Sequence, residues 1–220
     1  MVSLTRIGAW CAIGLVVAFA AGIALMAASG VQVLIPETGK DGLDWIADVD
    51  DASGAFFIGA WLTIVGGVLG AVALVGFYDA LSRAGDWLVL APILGVFSLT
   101  LVTASHLIPI AMAYELVPDF RPTDANTFDT FTALAQVLNY TGDVILWGVV
   151  VLMYAIAIRR TGFIRRWIAW LAIVVAIFAG LGEALSPASS VIEGLTFIGF
   201  VAFFVWMAAM GVTLARGARA

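Results

Sequence analysis

The chain contains one cysteine, Cys11, one histidine, His106, and one lysine, Lys40. A lone cysteine excludes an intrachain disulfide and a cysteine metal cluster. Set in an apolar run, Cys11 reads as a small packing residue. A lone histidine excludes a three-histidine zinc site and a bis-histidine haem within one chain. Lys40 falls in a loop, so no intramembrane lysine can form a retinal Schiff base. Neither GxSxG nor HExxH occurs, so serine-hydrolase and zinc-protease chemistry are unsupported. No catalytic residue, metal or cofactor is assigned on these grounds, and the chain reads as non-catalytic.

Charge is equally scarce. Only 11% of the 220 residues are charged and 63% are hydrophobic, against about 25% charged in soluble domains. A soluble domain of this size cannot hide so much apolar side chain. The composition therefore indicates an all-α, polytopic membrane protein forming one transmembrane domain over 1–220. Apolar runs predict six spanning helices, at 7–29, 55–81, 87–116, 131–158, 167–185 and 191–214, each long enough for a bilayer core of about 30 Å. The first run is too long for the core of a signal peptide, about 7–15 residues.

The net charge of −5 does not imply a basic partner, and nucleic-acid binding has no support. The acids concentrate in the loop 30–54, which holds Glu37, Asp41, Asp44, Asp48, Asp50 and Asp51. That run fails the EF-hand template, because Ala52 and Ser53 replace a ligand and the glycine. Within it, Leu43, Trp45, Ile46 and Val49 predict a short amphipathic helix dipping toward the membrane interface. With six helices and a cytoplasmic N-terminus, the cytoplasmic side receives Arg6, Arg83, Arg159, Arg160, Arg165, Arg166, Arg216 and Arg219. The far side receives only Lys40 and Arg121. This positive-inside pattern puts both termini in the cytoplasm. Trp10, Trp87, Trp167 and Trp170 fall near the expected interfaces, as an aromatic belt requires.

Small residues mark helix-packing faces: Gly66 and Gly70 form a GxxxG in the second segment, and Ala172, Ala176 and Gly180 recur every four residues in the fifth. They serve the bundle itself or a partner. Asp79 and Arg83, four apart, are placed to pair. Pro109 lies inside the third segment, where a kink is expected. Thr127 or Asp129 is expected to cap the fourth segment.

That fourth segment, Phe131 to Ile158, carries a polar stripe of Thr132, Gln136, Asn139, Tyr140 and Asp143 at helical spacing. A charged aspartate at the bilayer centre costs roughly 2.5–3.5 kcal/mol. Protonation, pairing with His106 on the adjacent antiparallel helix, or access to water would each reduce that cost. A polar pocket lined by His106, Asn139, Tyr140, Asp143, Gln136 and Thr103 is the candidate site. The competing account is that these side chains only hydrogen-bond the helices together. Glu183, near the end of the fifth segment, reads as a helix-end group.

The stretch RTGFIRRWIAWLAI, ending at Ile173, and the stretch FYDALSRA, ending at Ala84, resemble a bacterial family of six-helix integral membrane proteins of unknown function. The resemblance implies the fold and a bacterial inner membrane; it transfers no site residue. Three functions remain open: a non-catalytic structural or accessory subunit that self-associates or joins other membrane subunits; a small-solute or proton transporter or channel using the pocket around Asp143 and His106; and an intramembrane enzyme or redox protein with a cofactor near His106. The lipid bilayer is a partner under all three.

Overall fold

The computed structural model describes residues 3–31, 33–37, 40–52, 54–185 and 190–217. The side chains of Lys40, Asp41 and Leu43, the expected break at Ser186 and Pro187, and Arg219 lie outside what is described. The described residues are helical, with no strand among them. The helices are α1 (Leu4–Ala28), α2 (Lys40–Asp50), α3 (Gly54–Leu81), α4 (Leu90–Glu115), α5 (Ala125–Asp143), α6 (Val151–Thr161), α7 (Arg166–Val175), α8 (Gly182–Leu185) and α9 (Ser190–Ala215). Wide π-helical turns at Val144–Val150 and Ala176–Leu181 join α5 to α6 and α7 to α8. Six of the resulting rods are long and apolar enough to cross a membrane.

Successive rods run in opposite directions. One end of the bundle therefore gathers Arg6, Arg83, Arg159, Arg160, Arg165, Arg166 and Arg216, and the other carries the acidic loop; we call them the basic and acidic ends. Ser3 caps α1 by accepting the Arg6 N–H at 3.3 Å. Gly162, at φ +62°, stops α6 in the left-handed region that a Cβ disfavours, and its N–H returns to the Ile158 carbonyl. At this basic end Arg159 lies over the Trp170 ring at 5.1 Å and Arg160 over Trp87 at 5.3 Å. The four expected belt tryptophans all lie here.

Asp79 does not pair with Arg83. Its carboxylate instead accepts from Thr5, N at 3.0 Å and Oγ1 at 2.5 Å. The first turn of a helix has free N–H groups that no neighbouring arginine can satisfy, so Asp79 serves α1 across the bundle.

α1 and α3 pack backbone to backbone. A Cβ on Gly8 would stand 2.6 Å from Gly76 Cα, so only paired glycines permit this crossing. Gly66 receives the Phe19 ring, and Gly70 receives Leu15 and Leu99; the GxxxG packs inside the bundle. Ala172 and Ala176 are buried, and Gly180 meets Gly148 across the two π-helical turns. Near the basic end, Tyr154 donates its hydroxyl to the Leu74 carbonyl at 2.6 Å, and Phe77 sits edge-on to Tyr154 and Trp206.

At the acidic end the expected amphipathic helix exists as α2, but its described apolar side chains face the protein instead of its outer surface. Trp45, Ile46 and Val49 are buried against the protein. Trp45 packs on Phe56 and Phe128, and its Nε1 donates to the Val33 carbonyl at 3.0 Å. Phe56 and Phe128 offer an apolar surface there that desolvates the helix more fully than an interface would. The long helix through Asp143 also starts earlier than expected, at Ala125 instead of 131. Neither Thr127 nor Asp129 caps it. The chain enters through a 3-10 turn at Pro122–Asp124, where the Asp124 carboxylate accepts the Arg121 N–H at 3.0 Å. Pro109 lies within α4, which continues to Glu115.

The close crossing yields a prediction. Gly76→Ala should lower the thermal unfolding midpoint of the purified protein by several degrees, because the added methyl meets backbone that cannot retreat. Gly194→Ala, whose Cβ meets nothing within 4 Å, should leave the midpoint unchanged or slightly raised.

Candidate functional site

The crossing of α4 and α5 places the polar groups. Gly142 lets the two backbones approach: a Cβ there would lie 2.9 Å from the Ser98 carbonyl oxygen. Ser98 Oγ donates to the Gly142 carbonyl at 2.7 Å. One residue later comes Asp143, buried, at the midpoint of the rod Ala125–Thr161. Asn139, one turn earlier, donates Nδ2 to Asp143 Oδ2 at 2.7 Å, and its Oδ1 lies 3.2 Å from Ser105 Oγ, whose single proton is shared with the nearer Val102 carbonyl at 2.7 Å. Ser105, Asn139 and Asp143 thus form a polar relay between α4 and α5.

On the other side of α4, Thr63 Oγ1 lies 3.3 Å from His106 Nδ1 and donates its single proton to the Ala60 carbonyl at 2.7 Å. His106 and Asp143 are not bonded to each other; each has its own partner.

Both groups face one cavity of about 290 Å³. Its walls come from α1 (Leu15, Phe19, Ile23, Met26), α3 (Thr63), α4 (Leu99, Val102, His106), the rod through Asp143 (Asn139, Asp143, Leu146, Trp147) and α9 (Phe200, Phe203, Phe204). Leu34 roofs it toward the acidic end. The loop that carries Leu34 is pinned by Gln136 Nε2, which donates to the Pro36 carbonyl at 3.0 Å. Ile23 is 45% exposed while most of the wall is buried, so the cavity reaches the flank of the bundle beside α1. Five aromatic rings form a continuous wall: Phe19 to Phe204 at 5.3 Å, Phe204 to Phe200 at 4.8 Å, Phe200 to Trp147 at 5.9 Å and Trp147 to Phe203 at 6.2 Å. Trp147 Nε1 is buried without a hydrogen-bond partner.

Of the six residues expected to share a pocket, His106, Asn139 and Asp143 line this cavity. Gln136 holds its roof. Tyr140 turns outward and is exposed. Thr103 lines a separate shallow groove between α3 and α4, against Gly67. Its place one turn from His106 does not settle which side of α4 it occupies, and Thr63 takes the position beside the imidazole. Sequence reasoning missed Thr63, Ser105 and the aromatic wall, and read Glu183 only as a helix-end group. Glu183 follows the second π-helical turn as Asp143 precedes the first, and it acts electrostatically on Asp143. Trp147, four residues after Asp143, was the one available signal for the wall. Among the described residues no three His, Cys, Asp or Glu gather as a metal site would need.

No protein-family model, no curated protein and no solved structure matches the chain.

The relay can be tested by substitution. Asp143→Asn keeps an acceptor for Asn139 and should cost little stability. Asp143→Leu leaves the amide unpaired in an apolar setting and should cost about 1–3 kcal/mol, read from unfolding midpoints in one detergent.

Proposed function

We propose that this chain is a multi-pass bacterial inner-membrane protein, both termini cytoplasmic, that binds a small solute in the cavity around Asp143 as a carrier or transporter would. The observation that carries the reading is the cavity itself. A bundle whose polar residues served only as interhelical ties would close over them, whereas Asp143, Asn139 and His106 border open space. Small-molecule sites are typically apolar clefts of about 300–1,000 Å³ with a few convergent polar groups, and this cavity of about 290 Å³ falls just below that range. The two π-helical turns facing each other at Gly148 and Gly180 add support, since such turns recur at functional sites. The excess of arginine at the basic end supports the orientation.

A second reading has its own observation. The groove of about 290 Å³ between α3 and α4 is lined by Gly67, Ala71, Thr100, Thr103 and Ala104. Small residues on an outer flank suit a partner helix, as a non-catalytic accessory subunit would require.

Native mass spectrometry of the full chain, extracted gently from its own membrane, separates the two. The proposed function expects a monomer or homo-oligomer carrying a small adduct, absent from a Leu146→Trp variant that fills the cavity. Bare protein, or protein bound to unrelated subunits, would overturn it in favour of the accessory reading.

A further inference from the structure

The cavity has a chemical polarity that narrows what it accepts. Among the described lining residues Asp143 is the one acidic side chain, it is buried, and none is a lysine or arginine. A carboxylate withdrawn from water without a cationic partner is costly. Asn139 supplies one amide hydrogen bond, which does not balance a charge. Phe19 of α1 and Phe200, Phe203 and Phe204 of α9 line the same cavity, with Trp147 one turn after Asp143; aromatic rings attract cations through their quadrupoles. The mouth beside Ile23 opens on the flank of the bundle, where the membrane reading puts hydrocarbon. A ligand entering there needs an apolar body.

Resting on the proposed solute-binding function, we infer that the ligand class is a small lipophilic organic cation, an amine or quaternary ammonium with an apolar or aromatic body. The cationic head sits between Asp143 and the aromatic wall, and the body lies along Leu15, Leu99 and Leu146. The head provides a counter-charge that no described lining residue offers. The volume, about that of ten water molecules at 30 Å³ each, sets the scale of the ligand to a single ring or short chain.

The test compares two probes of the same shape, benzyltrimethylammonium and neopentylbenzene, which differ by a charged nitrogen in place of a carbon. Binding to the full purified chain is measured by equilibrium dialysis and by thermal stabilisation. The ammonium should bind at least about tenfold more tightly than its neutral counterpart, a preference worth about 1.4 kcal/mol. Asp143→Asn should abolish that preference while leaving affinity for neopentylbenzene intact. Phe200→Leu, which keeps the carboxyl, should reduce the preference several-fold and covers the case in which the Asp143 variant does not fold. Equal affinities for the two probes, or a preference that survives both substitutions, would overturn the cation assignment while leaving the cavity a site for neutral solutes. Failure of both probes to bind folded protein would overturn the cation assignment; bare protein in the native spectrum as well would remove the binding function itself.

Discussion

In a chain with so few polar side chains, each one placed inside the bundle must find its partner within reach. That constraint organises the seam between α4 and α5. Ser98 takes the Gly142 carbonyl, Ser105 reaches Asn139, and Asn139 reaches Asp143. Three of the four groups are satisfied by neighbours one turn apart on antiparallel rods, so the seam is pinned in register. Asp143 is the exception, because one amide bond meets a small part of what a carboxyl demands. The rest of its surroundings is open space and aromatic rings.

At the basic end the helices converge: Gly8 meets Gly76, Gly211 is held against Ala9 and Ala12, and Tyr154 ties α6 to α3. Toward the acidic end glycine again lets rods touch, Gly22 against Gly59 and Gly199 against Ala179, while the rings of Phe19, Phe200 and Phe204 line the cavity beside the exposed Ile23. Close packing at glycines and bulk at phenylalanines thus alternate along the same rods, and Leu34 lies over the cavity.

Much of this was legible in residue order alone. Apolar run length gives the six rods, and period-four small residues give faces that pack inside the bundle. Helical spacing brought His106, Asn139 and Asp143 onto one list of candidates. What spacing did not disclose depends on distant partners. Asp79 sits four residues from Arg83, yet it binds Thr5, 74 positions away. Asn126, Thr127, Asp129 and Thr130 are weak helix formers by propensity, yet they are helical, because Phe128 inserts beneath Trp45 and fixes the first turn. Tyr140 and Thr103 carry the right chemistry on the wrong side of their helices. The π-helical turns, which rotate the face of a rod by adding a residue to one turn, leave no composition signature.

The rod from Ala125 to Thr161 has 37 residues, about 55 Å at 1.5 Å per residue. A hydrocarbon layer of about 30 Å cannot contain it upright. Its surplus carries Phe128, which seats α2, while Gln136, two turns from Asp143, holds the loop over the cavity. The roof is thus mounted on the same continuous post as Asp143, and its height above that carboxyl is set by helix rise. A thicker or thinner bilayer would change how far the assembly stands out of the lipid, or how steeply it tilts, and would leave the depth of the chamber the same.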